Sequence, residues 1–206
     1  MYSFSAFAVP TAVTAILMVA FGVAVLRRGP TRVARAFAAL TGAVALWLGG
    51  FTMMYLTGPE PAALFWVKVG YLGIPFVAPA VYHFAVEMLR IYERRRVAVA
   101  LAWAGAGVAV LLAWTTDSLL SGVKKFWWGW YPQQGTLFSI AFILFFVGYL
   151  IAGFVEFALA FRNAQGVERK RIRLVMIALP IGYIGCIDFL PAYDVSVYPF
   201  GYLAAL

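Results

Sequence analysis

His83 and Glu87 stand four residues apart in an apolar stretch, so a helix would put both on one face. An imidazole and a carboxylate at that spacing can share a proton. The carboxylate favours the charged ring, and the pair could act as a proton site or a pH sensor, with Tyr82 adjacent. In a second reading, Glu87 reaches the membrane interface and pairs with Arg90 or Arg94, while His83 packs between helices. Lys68, Glu156 and Asp188 also fall inside apolar stretches. A charge near the bilayer centre costs roughly 2.5–3.5 kcal/mol, so residues retained there are candidates for sensing. Lys68 lies close enough to one end of its stretch for its ammonium to snorkel. Glu156 precedes Arg162 by six residues and should meet a basic residue at the interface. Asp188 neighbours Pro191 and Tyr193 at about the depth expected for Lys68, which suggests an ion pair between the two.

No catalytic residue emerges. There is no Walker loop, no HExxH and no serine nucleophile motif. The lone cysteine, Cys186, excludes an internal disulfide and a Cys-based metal cage. A single histidine excludes two-His haem ligation, and no spacing supports a His–Met pair, so only ligation by His83 alone stays open. Neither a metal nor a cofactor is expected.

These residues must be held by elements built for lipid. The chain is 65% hydrophobic and 12% charged, about half the charge of a soluble domain. A span needs about 20 apolar residues. Stretches near 7–26, 33–56, 62–89, 97–114, 136–161 and 172–190 qualify. The first lacks a basic leader and ends in Arg27–Arg28, so it should remain as a span rather than be cleaved. A seventh, 197–206, would cover only about 15 Å, so its helix is expected to continue beyond Leu206 in a longer protein. The expected fold is all-α: a polytopic bundle with six full spans and a truncated seventh. Gly70, Gly73, Pro75 and Pro79 should bend the third span, and Pro180, Gly182 and Gly185 the sixth.

Thirteen of the sixteen Lys and Arg residues lie in three clusters: Arg27, Arg28, Arg32 and Arg35; Arg90, Arg94, Arg95 and Arg96; Arg162, Arg169, Lys170, Arg171 and Arg173. Each cluster follows an odd-numbered span, so the net charge of +8 reflects membrane topology, not nucleic-acid binding. The positive-inside rule places the N-terminus outside and the C-terminus in the cytoplasm. The one sizeable loop on the other side contains Phe126, Trp127, Trp128, Trp130 and Tyr131. It reads as an interfacial aromatic belt, or as part of a ligand site facing outward.

The chain resembles the N-terminal seven-transmembrane region of bacterial sensor histidine kinases along essentially its whole length. Three pieces carry the resemblance. One is Phe65-Trp66-Val67-Lys68-Val69-Gly70-Tyr71-Leu72-Gly73, with Pro75, Pro79 and His83-Phe84-Ala85. The second is Trp128-Gly129-Trp130-Tyr131-Pro132 leading to Gly135. The third runs from Arg171-Ile172-Arg173 through Asp188-Phe189-Leu190-Pro191 to Val197-Tyr198-Pro199-Phe200-Gly201. The resemblance implies a multi-pass protein of the bacterial inner membrane that senses a stimulus and anchors the kinase. Phosphotransfer and ATP-binding modules would lie beyond Leu206, and a homodimer is expected. Gly148 with Ala152, and Gly182 with Gly185, would permit close helix approach between or within subunits. Two other functions compete. The chain could be an accessory subunit of a larger respiratory or photosynthetic membrane complex. A small transporter would call for mid-membrane polar clusters and an internal repeat, which the sequence does not display. Membrane lipid is the expected partner in every case.

Overall fold

In the computed structural model the apolar stretches form helices, and the structure describes residues 2–135 and 137–205. Helix α1 spans Ala8–Arg28, α2 Arg32–Leu56, α3 Glu60–Gly70, α4 Ile74–Met88, α5 Tyr92–Thr115, α6 Leu137–Asn163 and α7 Gly166–Tyr183. A 3₁₀ segment, Ile184–Tyr193, prolongs α7, and a second, Gly201–Ala205, follows an irregular stretch. Taking α3 with α4, and α7 with its prolongation, six helices among the described residues are long and apolar enough to cross a membrane. The helices run a few residues past the apolar stretches into their polar flanks; α5 starts at Tyr92 rather than Val97. The expected start of the fifth span at Thr136 and the expected end of the seventh at Leu206 lie outside the described residues.

Helix α2 is the central element, packed against α1, α3 and α4, and α4 in turn packs against α5 and α6. Its start is defined by Thr31, whose hydroxyl accepts the Ala34 N–H at 3.1 Å. On the periphery, Ile16, Leu101 and Leu144 are 62–69% exposed. Three large aliphatic side chains on three long helices are uncovered because lipid is their solvent.

The third span is broken where its glycines and prolines stand. Between α3 and α4, the chain tightens through Leu72 N–H to Val69 O (3.0 Å) and Gly73 N–H to Gly70 O (2.9 Å). Pro75 sits in the first turn of α4, where its missing N–H costs no hydrogen bond. The break lets the backbones of α2 and α3 touch. A Cβ added at Gly50 would lie 2.5 Å from Gly70 N, and one at Gly73 would lie 2.2 Å from Ala43 O. These are backbone-to-backbone approaches that leave no room for a side chain. At Gly148 and Gly182 an added Cβ would meet nothing within 4 Å, so those glycines do not serve helix contacts within the subunit.

Two features depart from an all-helical reading. The aromatic loop is a β-hairpin: β1, Leu120–Phe126, pairs antiparallel with β2, Gly129–Gln134, through the turn Trp127–Trp128. Gly129 closes the turn at φ 134°, a conformation that side chains disfavour. Lys125 lies opposite Trp130, its ammonium 5.5 Å from the ring centroid. The second departure is residues 197–205, expected to be helical. Residues 195–200 form no regular element, with a tight turn closed by Val197 N–H to Val195 O at 2.8 Å, and only Gly201–Ala205 winds into a 3₁₀ turn. Pro199 disfavours the helical region for Tyr198, so the helix cannot begin as early as Val197.

Gly73→Ala or Gly50→Ala should destabilise the protein by about 1–3 kcal/mol, because backbone atoms cannot swing aside for the new methyl group. Gly148→Ala, in open space, should be neutral or slightly stabilising. Thermal unfolding of the four proteins in detergent compares them directly. Equal stability throughout would show that the α2–α3 approach is not tight.

Candidate functional site

Asp188 sits in the 3₁₀ segment that follows the Pro180 bend, and only 5% of it is exposed. Its carboxylate binds backbone. Oδ1 accepts the Gly201 N–H at 2.6 Å, and Oδ2 accepts the Tyr202 N–H at 2.9 Å. The carboxylate therefore caps the first turn of the terminal 3₁₀ segment. Glycine is required at 201 because an added Cβ would lie 2.8 Å from Gly185 Cα and 2.9 Å from Asp188 Oδ1. On its other side, the Asp188 carbonyl accepts the Tyr131 hydroxyl at 2.5 Å. Tyr131 belongs to β2, and burial raises its pKa well above the ordinary value, so it remains a donor. One residue thus joins the hairpin to the terminal segment.

The hairpin also roofs a cavity of about 640 Å³. Its walls come from α2, α4, α6 and α7, with Val44, Val77, Leu150 and Leu179 among the apolar side chains. Tyr71, Tyr131, Gln134 and Asp188 contribute polar atoms at the hairpin end. Gln134 Nε2 donates to Tyr71 OH at 2.6 Å, whereas Gln134 Oε1 is buried with no partner among the described residues. The size and the apolar lining with few polar groups suit a small apolar or amphiphilic molecule.

Further bonds tie this end of the bundle together. Gln133 Nε2 donates to Pro191 O at 3.3 Å, and Lys124 forms an ion pair with Asp194. Phe7, Trp127 and Tyr198 cluster, with Phe7 5.6 Å from Trp127 and 5.3 Å from Tyr198. The aromatic loop divides: Trp127 is largely exposed, whereas Trp128 is buried and stacks on Phe126 at 4.5 Å. Trp130 donates to Gly58 O at 3.1 Å, anchoring the hairpin to the α2–α3 connection.

The expected Lys68–Asp188 ion pair is not present. Lys68 Nζ instead donates to Trp114 O at 3.4 Å, and Trp114 Nε1 returns a bond to Lys68 O at 3.0 Å. The two residues have similar depth but face different neighbours: α5 for Lys68 and the terminal segment for Asp188. Glu156 does pair with a basic residue: Oε1 lies 2.7 Å from Arg95 Nε. The partner, left unnamed by the sequence, comes from α5. His83 Nε2 lies 3.6 Å from Glu87 Oε1, and among the described residues Glu87 makes no ion pair with Arg90 or Arg94. Tyr82 is buried with its ring 5.4 Å from Tyr149. Among the described residues no group of three or more His, Cys, Asp or Glu could hold a metal.

Sequence reasoning missed Arg95, Tyr71, Gln134 and Gly201 as partners. Gly201 carried a signal, being the glycine that follows Pro199-Phe200 in the most distinctive motif. Arg95 was counted only as topogenic charge. A double-mutant cycle with Arg95→Gln and Glu156→Gln should give a coupling of roughly 1 kcal/mol, given that half of Arg95 is exposed. The cycle with Lys68→Gln and Asp188→Asn should give no coupling. Unfolding in detergent reads both, and the reverse ranking would contradict the geometry.

A family model described as the N-terminal 7TM region of histidine kinase matches residues 10–206. No curated protein and no solved structure matched the chain. The matched region covers the bundle, the hairpin and the Asp188 junction. The chain is a multi-pass membrane protein and belongs to the family of N-terminal seven-transmembrane regions of histidine kinases.

Proposed function

We propose that this bundle is the sensory and anchoring region of a two-component histidine kinase, and that it relays a signal from its hairpin end to cytoplasmic modules that follow Leu206. The observation that carries the reading is the double attachment of Asp188. The hairpin holds its carbonyl, and its carboxylate holds the segment leading onward. A ligand entering the cavity beside Tyr131 and Asp188 would favour one arrangement of this junction by its differential affinity. The intramembrane candidates Lys68, Tyr82, His83, Glu87 and Glu156 would then tune helix packing, while Asp188 carries the relay.

Orientation follows from charge. The basic clusters lie at the end of the bundle opposite the hairpin, at the α1–α2, α4–α5 and α6–α7 connections. The positive-inside rule puts that end in the cytoplasm of a bacterium and the N-terminus outside its inner membrane.

Two experiments test these readings. In the intact protein reconstituted in lipid, Tyr131→Phe should change autophosphorylation by about fivefold, the equivalent of about 1 kcal/mol for one neutral hydrogen bond, and Asp188→Asn, which removes a charged acceptor, by about tenfold or more. Trp127→Ala, at an exposed position, should leave it unchanged. Unaltered phosphorylation in both folded variants, or a natural protein without kinase modules, would overturn the relay. For orientation, Ser121→Cys and Gln165→Cys are each made in a Cys186→Ala background. A membrane-impermeant maleimide on intact cells should label position 121 and spare position 165; the opposite pattern reverses the topology.

A further inference from the structure

At the basic end of the bundle a second cleft, of about 450 Å³, opens between α2, α4 and α5. Its rim carries both signs of charge. Arg32 and Arg35 project from the first turn of α2, Glu87 from the last turn of α4, and Glu93 from the first turn of α5. Opposite charges lining one cleft would ordinarily close on each other. Here they do not: among the described residues neither arginine comes within ion-pair distance of either glutamate, and the partner of Glu87 is His83 at 3.6 Å. The Glu87 side chain is only 10% exposed. A carboxylate so far removed from water calls for a cation or a strong donor.

The cleft floor has a different character. His83 lies between Tyr92 and Trp103, with ring centroids 5.8 and 6.1 Å away, and its Nδ1 is buried without a partner among the described residues. Below the rim the wall is formed by Ala36, Ala39 and Trp103. Ala36 and Ala39 follow the arginines by one helical turn, and Trp103 stands eleven residues into α5, about 16 Å along its axis. The site is therefore charged at the level of the helix ends and apolar below it. A membrane phospholipid is graded in the same way.

We propose that this cleft binds the headgroup of a membrane phospholipid of the phosphoethanolamine type. Its phosphate would lie on Arg32 and Arg35, and its primary ammonium on Glu87 and Glu93. Guanidinium groups pair with phosphate oxygens through charge-assisted hydrogen bonds, aided by the positive end of the α2 dipole. The ammonium brings three N–H donors to carboxylates that neither arginine reaches. A choline headgroup offers no N–H donor. A glycerol headgroup brings no positive charge, and would set a net anion against two carboxylates. Burial of the acyl region along Ala39 and Trp103 marks the ligand as a lipid, not a free headgroup.

The test is competition for the protein in nanodiscs containing equal amounts of phosphatidylethanolamine, phosphatidylcholine and phosphatidylglycerol. Lipids retained after release into the gas phase are counted by native mass spectrometry. The wild type should retain phosphatidylethanolamine about tenfold over either competitor, as one charge-assisted hydrogen bond would provide. Arg32→Gln with Arg35→Gln should abolish retention of all three. Glu87→Gln with Glu93→Gln should abolish the preference for phosphatidylethanolamine over phosphatidylglycerol while leaving lipid bound. Arg32→Lys with Arg35→Lys, which keeps the charge, should preserve the order. Equal retention of the three lipids by the wild type would overturn the proposal, and so would a preference that survives both double substitutions. Displacement of the lipid by millimolar soluble phosphoethanolamine would show that the site serves a free headgroup, which also overturns it.

Discussion

A chain that leaves regular helix inside hydrocarbon must satisfy its freed backbone groups from within, because no water is there to do so. Much of this structure follows from that constraint. Where α3 gives way to α4, the carbonyls of Val69 and Gly70 are taken up by the N–H groups of Leu72 and Gly73. Where α7 tightens into a 3₁₀ segment, the Asp188 carbonyl is taken by Tyr131 and the Pro191 carbonyl by Gln133. Where the terminal segment starts to wind, its first N–H groups have no preceding turn to serve them, and the Asp188 carboxylate takes both. The hairpin is thus more than a cover. Its side chains replace the hydrogen bonds that a straight helix would have made for itself.

The spans were legible in the sequence because lipid imposes a length and a composition that few other structures meet. The kink in the third span was legible for a similar reason, since Gly70, Gly73 and Pro75 have few roles inside a helix. Azimuth was not legible. Depth can be counted along a helix, but the direction a side chain faces depends on how neighbouring helices are placed. Lys68 and Asp188 looked like partners by depth, yet one binds Trp114 and the other binds Gly201. The same limit left the basic partner of Glu156 unidentified until the helices were placed, when it proved to be Arg95. It also directed attention to Gly148 and Gly182, which face open space, instead of Gly50, which faces Gly70. The hairpin was hidden for another reason. Val123, Phe126, Trp128 and Trp130 carry strand propensity, but an aromatic loop between two spans also satisfies the interfacial preference of Trp and Tyr.

The two ends of the bundle use charge differently. At the hairpin end, charge is sparse and is spent on local ties: Lys124 with Asp194, Lys125 over Trp130. At the other end arginines are plentiful, and most are exposed. Arg95 is set apart because Glu156, only 12% exposed, reaches it across the α5–α6 seam. That seam is otherwise thin, held by Phe145 against Gly105 and by Tyr149 OH donating to Ala98 O at 3.3 Å. With the Arg95 side half exposed and the Glu156 side nearly buried, the pair contributes to the seam roughly what a partly exposed ion pair does, about 1 kcal/mol.

A relay of the proposed kind needs two arrangements separated by only a few kcal/mol, since a larger gap could not be shifted by a ligand of ordinary affinity. The Asp188 junction meets that requirement. Its carboxylate makes two bonds to backbone N–H groups, each worth roughly 1.5–3 kcal/mol for a charged acceptor. Releasing one while the other persists costs an amount that a ligand would offset by binding one arrangement about a hundredfold more tightly than the other, a difference of about 2.7 kcal/mol. Gly201 touches Gly185 directly, with no side chain on either, while the buried ring of Tyr202 packs near Met18, Val44 and Leu48, so a shift of the terminal segment would repack that ring. Tyr131, fixed to the hairpin and lining the cavity, is the side chain through which occupancy of the cavity would reach the Asp188 turn.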